Sequence, residues 1–98
     1  MYTIKLHNTA VKQLKRIPLK DRRRLIDTIY SLKDSPRTGQ TVHLDDILYR
    51  IRVGNYRIIY AVLDNEMVVL VVKAARRSES TYRNLRALIT RAYNLLEE

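Results

Sequence analysis

The hydrophobic positions in the first half of the chain repeat first with a strand-like period and then with a helical one. Residues 2–6 place Tyr2 and Ile4 on alternate positions, which is typical of a half-buried strand. After Asn8 and Thr9, which are good N-cap residue types, apolar residues recur at helical spacing up to Pro18. A second helix is predicted to follow Pro18 and to end at the turn-forming segment 34–39.

The second half changes to a β-type period and becomes helical again near the C-terminus. The runs 48–53 and 56–63 are separated by Gly54-Asn55, a two-residue loop typical of a β-hairpin. A turn at 64–66 leads into the apolar run 67–72, which we interpret as a buried central strand. From about residue 80 the helical period returns, with an apolar stripe made of Leu85, Leu88, Ile89, Ala92 and Leu95/Leu96. The predicted order β-α-α-β-β-β-α describes an α+β fold, a mostly antiparallel sheet covered by helices.

Composition sets the size and the charge of this fold. With 98 residues, the chain is expected to form one domain over 1–98. Its 19 Lys+Arg against 10 Asp+Glu give a net charge of +9, which points to a polyanionic partner. The absence of Cys excludes a thiolate nucleophile and a Cys-based zinc site. His7 and His43 have no carboxylate at a co-ligand spacing, so no metal is expected, and no cofactor is expected either. The chain also lacks an apolar run long enough to span a membrane, which suggests a cytoplasmic protein.

The predicted hairpin separates its residues into an apolar face and a cationic face. A two-residue loop places Arg52 opposite Arg57, and alternation places Arg50 on the same face. Like charges across a strand pair are destabilising, with pair terms of about 0.2–1 kcal/mol. No acidic residue lies between positions 47 and 63 to compensate them. We call Arg50, Arg52 and Arg57 the arginine face. It is either the solvated face of an amphipathic hairpin or a phosphate-binding surface, for which the planar guanidinium is well suited.

Further basic residues follow the last strand and line the early helices. The first group is Lys73, Arg76, Arg77 and Arg83, next to Tyr82, which is either a site residue or a core residue at a helix start. The second group is the predicted rim for a nucleic-acid backbone, or simply the solvent side of two helices: Lys12, Lys15, Arg16, Lys20, Arg22, Arg23 and Arg24. Glycine-rich phosphate loops, a Ser-His-Asp set and paired catalytic carboxylates are not recognisable. His43 is kept as a minor candidate acid or base.

The segment 48–60 resembles the central hairpin of the RelE/ParE superfamily of toxins from bacterial and archaeal toxin–antitoxin systems. The segments 72–83, 14–18 and 35–37 also fit, so the resemblance covers nearly the whole chain. It implies a RelE-like toxin that cuts mRNA in the ribosomal A site and uses the 2′-OH of the RNA as the nucleophile.

The resemblance also implies roles for individual residues. Arg57, Arg76 and Tyr82 match the family's phosphate-binding arginine, its second arginine and its tyrosine. Arg50 and Arg52 stand where well-known members carry lysines. Since arginine is a poor general base, proton abstraction would fall mainly on Tyr82.

The sequence leaves two other functions open and implies one protein partner. The alternatives are a ParE-like poison of DNA gyrase and a non-catalytic RNA-binding module. Either branch implies an acidic antitoxin that neutralises the cationic face and forms a hetero-oligomer with the toxin. Besides the cationic face, the antitoxin is predicted to contact the last helix, at Leu85, Leu88, Ile89 and Ala92.

Overall fold

The computed structural model describes residues 1–77 and 85–96. Within these ranges the chain forms a five-stranded sheet and three α-helices. The elements are β1 (Thr3–Leu6), α1 (Asn8–Lys15), α2 (Leu19–Ser31), β2 (Thr41–Asp45), β3 (Leu48–Val53), β4 (Tyr56–Leu63), β5 (Val68–Arg76) and α3 (Leu85–Leu96), with a short 3₁₀ turn at Asp64–Glu66.

The sheet has the spatial order β1-β5-β4-β3-β2. β1 pairs with β5 in parallel, and the other neighbours are antiparallel, which confirms the predicted α+β class. The strand β2 was not predicted. It is a short edge strand whose side chains are exposed or half-buried, so it lacks a clear apolar alternation, and its pairing with β3 is interrupted by a register shift between His43 and Asp45.

The hairpin of β3 and β4 has the predicted register. Arg52 pairs with Arg57 and Tyr49 pairs with Tyr60. The turn depends on Gly54, whose φ of 57° lies in the left-handed region that glycine adopts without steric cost.

A β-bulge interrupts the pairing of β4 with β5. The register shifts between Ile59, which pairs with Lys73, and Tyr60, which pairs with Val71. Val72 is therefore the extra residue, and the alternation of side chains in β5 is reversed beyond it. This reversal decides on which face of the sheet Lys73 and Arg76 lie.

Each face of the sheet carries its own hydrophobic core. One core joins α1 and α2 to the sheet through side chains that include Leu14, Leu25 and Ile58. The other joins α3 to residues that include Leu48, Ile59 and Val72. The predicted stripe of the last helix is confirmed at Leu88 and Ala92, which are 6% and 0% exposed, while Ile89 is half-buried.

The ends of α1 are held by side chains that the sequence pattern did not indicate. His7, rather than Asn8 or Thr9, is the N-cap, and its Nδ1 accepts the backbone N–H of Thr9 at 3.1 Å. At the other end the Arg22 guanidinium donates to the carbonyls of Lys15 and Ile17 at 3.0 Å. Arg22 thus satisfies carbonyls that the helix end leaves without partners.

In the ranges that the structure describes, no helix is both long and apolar enough to cross a membrane.

Candidate nucleic-acid interface

The arginine face is built by the hairpin register alone. Arg52 and Arg57 are direct partners across the two strands, and Arg50 pairs with Ile59. Because paired residues share a face, the three arginines lie on the same side of the sheet as the core that α3 covers. Arg52 is exposed, whereas Arg50 and Arg57 are half-buried.

Burial makes this cationic face costly unless an anion binds there. The Nε atom of Arg50 is buried and has no hydrogen-bond partner among the described residues. A buried charged donor without a partner costs more than a neutral one, so a ligand that accepts this hydrogen bond is favoured. Phosphate oxygens are suitable acceptors, since they take the parallel N–H groups of a guanidinium.

The bulge in β5 adds a lysine to this face. Lys73 pairs with Ile59, which belongs to the core beneath α3, and Lys73 is half-buried. Without the bulge, strict alternation from Val71 would place Lys73 on the opposite side. The sequence predicted Lys73 as an RNA contact but gave no means of placing it beside the arginine face.

The same bulge separates Arg76 from the arginine face. Arg76 pairs with Tyr56, whose side chain belongs to the core beneath α1 and α2. Arg76, the last residue of β5, therefore lies on the face opposite the arginine face. The residue before it, Ala75, pairs with Arg57. Arg77 is exposed, and its backbone N–H donates to the carbonyl of Asn55 at 2.8 Å. The other two predicted residues of this segment, Tyr82 and Arg83, lie outside the described residues.

Most of the predicted basic rim on α1 and α2 is exposed, as a nucleic-acid contact requires. The exposed members are Lys12, Lys15, Arg16, Lys20, Arg23 and Arg24. Arg22 differs, because its guanidinium is used to hold the end of α1. Arg24 lies beside the hairpin turn, with its Nη1 3.4 Å from the point where a Cβ on Gly54 would stand. The rim on α2 is thus continuous with the turn of the hairpin.

A network of charged and aromatic side chains at the far end of the sheet was missed by the sequence analysis. The Arg37 Nη2 contacts the Asp64 Oδ2 at 2.6 Å, and the Arg37 Nε donates to the Tyr49 hydroxyl at 2.9 Å. The Tyr2 hydroxyl donates to the other Asp64 oxygen at 2.6 Å. The hydrogen bond from Arg37 lowers the pKa of Asp64 below its usual value. These contacts connect residues far apart in the sequence, so no local pattern could have indicated them.

Neither His43 nor Tyr60 is placed for proton transfer at the arginine face. His43 pairs with Tyr49, on the side of the sheet opposite the arginines. Its Nε2 is 2.7 Å from the carbonyl of Asp46, so this nitrogen carries the proton that it donates. The buried Tyr60 hydroxyl donates to the carbonyl of Pro36 at 2.7 Å, and burial raises the pKa of Tyr60 to about 12.

Comparison with known proteins gives consistent results. The profile of the family described as "ParE toxin of type II toxin-antitoxin system, parDE" matches residues 4–81. The toxin RelE of Mycobacterium tuberculosis is 30% identical over 82 residues, which cover 81% of this chain and 84% of that protein.

Solved structures agree with the fold. The archaeal RelE–RelB complex from Pyrococcus horikoshii OT3 contains a chain that is 29% identical, with a TM-score of 0.73, and covers 81% of this chain and 98% of its own length. The isolated RelE toxin of E. coli matches 98% of this chain and 99% of its own, with a TM-score of 0.71 and 20% identity. The chain therefore belongs to the ParE toxin family and is a RelE-like toxin of a type II toxin–antitoxin system.

Proposed function

We propose that this toxin is an endoribonuclease that cuts mRNA on the ribosome, with the arginine face holding the scissile phosphate. The observation that carries the proposal is the set of cations on one face of the hairpin. Arg52 and Arg57 face each other and the Arg50 Nε is buried without a partner among the described residues. Such a face is unfavourable by itself and becomes favourable when a phosphodiester occupies it.

The chemistry that fits this face is attack of the RNA 2′-oxygen on the adjacent phosphorus. The 2′-O–P bond forms while the P–O5′ bond breaks, which gives a 2′,3′-cyclic phosphate and a 5′-hydroxyl. The 2′-OH proton goes to a general base, and the leaving 5′-oxygen takes up a proton. Negative charge on the phosphoryl oxygens increases in the transition state, and fixed guanidinium donors stabilise that state more than the ground state.

The general base must come from outside the arginine face. A guanidinium stabilises negative charge through its N–H donors but is a poor general base. Tyr82, which the family resemblance singles out, lies outside the described residues. We propose it as the base on the ground of the family resemblance, since the phenolic oxygen of a tyrosine can act in proton transfer.

Substitution of Arg57 tests this function. Arg57→Ala is expected to lower the rate of mRNA cleavage on programmed ribosomes by about 10²–10³-fold, the usual effect of removing one donor that stabilises a transition state. Arg57→Lys, which keeps the charge without the planar fork, should recover part of the rate. The matched control is Lys5→Ala, an exposed cation on β1 at the edge of the sheet. Equal cleavage by Arg57→Ala and the wild type would contradict the assignment.

A gyrase poison is the second candidate, because the matching family profile is that of the ParE toxins. The helices α1 and α2 have 8 and 13 residues, shorter than the helical hairpin expected for a ParE-type protein. Accumulation of gyrase–DNA cleavage complexes with intact mRNA would favour this function over RNA cleavage.

An antitoxin is the natural partner of this toxin, as in the RelE–RelB complex of the P. horikoshii relative. We propose that its acidic segment occupies the arginine face and replaces the phosphate as counter-charge. A helix of the antitoxin would compete with α3, whose stripe holds it on the sheet through Leu88 and Ala92. Displacement of α3 would also shift the preceding segment that carries Tyr82.

A further inference from the structure

The bulge in β5 leaves backbone groups beside it that the neighbouring strands do not reach. The parallel ladder with β1 ends at the pair of Leu6 and Val71, so the later residues of β5 have no partner in β1. The ladder with β4 passes over Val72. Both Val72 and Ala74 are buried, and a buried backbone polar group without a hydrogen-bond partner is costly.

Two long side chains, one from each helical layer, bind the backbone at the bulge. The Gln13 Oε1 on α1 accepts the backbone N–H of Ala74 at 2.8 Å. The Arg91 Nη1 on α3 donates to the carbonyl of Val72 at 3.2 Å. Gln13 and Arg91 are both half-buried. Because α1 and α3 cover opposite faces of the sheet, the bulge is held from both sides.

These two hydrogen bonds involve the two peptide groups that flank Lys73. The Val72 carbonyl belongs to the peptide before the Lys73 Cα, and the Ala74 N–H belongs to the peptide after it. Peptide groups are planar, so holding both of them fixes the direction in which the Lys73 side chain leaves the backbone. The apolar pattern cannot do this, since residues 68–72 are all buried and Ala74 has only a methyl group.

The side chain held in this way lies among the cations of the arginine face. Lys73 and Arg50 both pair with Ile59, so the three residues form one row across β3, β4 and β5. Arg57 pairs with Ala75, two positions beyond Lys73, so Lys73 and Arg57 are diagonal neighbours. Diagonal neighbours are about 7–8 Å apart, which long side chains can bridge. Lys73 can therefore reach an anion that Arg57 binds.

We propose that Gln13 and Arg91 are positioning residues, which direct Lys73 to the phosphate that Arg57 holds. The proposal rests on the proposed ribonuclease function for the identity of that phosphate. Like charges on one face repel each other, so the ammonium group is not attracted to this position by its neighbours. The backbone must hold it there, and a cation that is already in place stabilises the transition state without reorganisation.

A double-mutant cycle with Lys73 tests the proposal. Gln13→Leu removes the acceptor and keeps a side chain of similar size. It is expected to lower the single-turnover rate of mRNA cleavage on programmed ribosomes about tenfold, since a misplaced group can cost up to about 10²-fold. Gln13→Glu keeps an acceptor oxygen and should retain most of the rate. In a Lys73→Ala background, Gln13→Leu should cost less than about twofold, because the group that it positions is gone.

Two further variants complete the cycle. Arg91→Met keeps an unbranched apolar stem and removes the donor, so its loss of rate should depend on Lys73 in the same way. It also carries the test if Gln13→Leu does not fold. Asn8→Ala is the matched control, because it removes an amide side chain at an exposed position of the same helix, and it should cleave like the wild type.

Hydrogen exchange of the Ala74 amide gives a readout that does not depend on activity. Gln13→Leu should speed exchange at Ala74 and leave the buried Ile29 of α2 protected. Unchanged exchange at Ala74 would show that Gln13 does not hold the bulge. A full rate for Gln13→Leu, or an equal loss with and without Lys73, overturns the positioning role. If the wild type does not cut mRNA while Gln13→Leu still speeds exchange at Ala74, the ribonuclease function fails and the held bulge stands.

Discussion

At the scale of single residues, this protein uses arginine for several different physical tasks. Arg22 donates to backbone carbonyls at the end of α1, and Arg37 forms an ion pair with Asp64. Arg91 donates to the carbonyl of Val72, at the bulge in β5. Only Arg50, Arg52 and Arg57 lie together on the hairpin without an acidic residue in either strand. A basic composition therefore identifies the class of partner but does not identify which cations bind it.

The ion pair of Arg37 with Asp64 predicts a specific dependence of stability on pH. Arg37 lowers the pKa of Asp64 in the folded state relative to the unfolded state. The stabilisation is therefore fully present above the unfolded-state pKa of about 4 and is lost as the pH falls through the lower folded-state pKa. Because both side chains are largely exposed, we expect a small effect.

Urea denaturation of the wild type and Asp64→Asn measures this effect. The wild type should be more stable at pH 7, and the difference in unfolding free energy should shrink as the pH is lowered below 4. Asp27→Asn, at an exposed position on α2, is the control and should show no comparable trend. A difference between the wild type and Asp64→Asn that stays constant from pH 7 to pH 2 would contradict the interpretation.

At the scale of elements, local patterns predicted what depends on local chemistry. The Gly54-Asn55 loop determined the register of β3 with β4, and the arginine face followed from it. The bulge at Val72 could not be predicted, because residues 67–72 are all apolar and fit either assignment of alternate side chains to the two faces of the sheet. Its effect is large, since it moves Lys73 onto the arginine face and Arg76 away from it.

The edge strand β2 and the Arg37 network were missed for a related reason. Neither leaves a periodic pattern of its own: β2 pairs with the next strand, β3, through side chains that are exposed or half-buried, and the Arg37 network connects residues that are distant in the sequence. The same holds for Gln13, which is polar in an otherwise ordinary helix pattern and satisfies a backbone N–H of β5.

The docking of α3 leads to a prediction about the antitoxin complex. The apolar contact of α3 with the sheet includes Leu88 and Ala92, and its polar contacts include Arg91 with the Val72 carbonyl and Tyr93 with Asp46. Leu25 and Ile29 of α2 are buried on the other face. We expect the antitoxin to increase the exchange rate of the α3 amides at Leu88 and Ala92, and to leave those of Leu25 and Ile29 protected.

Hydrogen exchange of the toxin alone and in complex with its cognate antitoxin measures this difference. Equal protection of the α3 amides in both samples would exclude displacement. Inhibition would then rest on occupation of the arginine face alone.

At the scale of the whole molecule, the net charge of +9 is not evenly distributed. The end of the sheet at the Gly54 turn carries Arg52, Arg57, Arg76 and Arg77. The opposite end, where β3 and β5 begin, carries Asp45, Asp46, Asp64 and Glu66, and of these Asp64 is ion-paired with Arg37. The two ends of the sheet therefore carry opposite charge, and a polyanion is attracted to the arginine end.

This polarity predicts unequal effects of charge changes at the two ends. The six residues of β3 separate the ends by roughly 20 Å at about 3.3 Å per residue, whereas the Debye length at physiological ionic strength is about 8 Å. The acidic end is thus screened from an RNA bound at the arginine end. The double substitution Asp45→Asn and Glu66→Gln removes two negative charges from the acidic end. It should change the affinity for a short RNA oligonucleotide, made non-cleavable by a 2′-O-methyl group at the scissile position, by less than about twofold at about 0.15 M salt.

Arg52→Ala changes the net charge by only one unit and yet should have the larger effect. It removes a cation from the arginine face, so the slope of log affinity against log salt should decrease by about 0.7, and binding should weaken most at low salt. Fluorescence anisotropy of the labelled oligonucleotide measures the affinity and its salt slope between about 50 and 200 mM salt, a range in which phosphate contacts make the affinity strongly salt-dependent. If the double substitution at the acidic end strengthened binding tenfold, net charge rather than its placement would govern the interaction. A shallower slope for Arg52→Ala alone would show that the arginine end makes the contact.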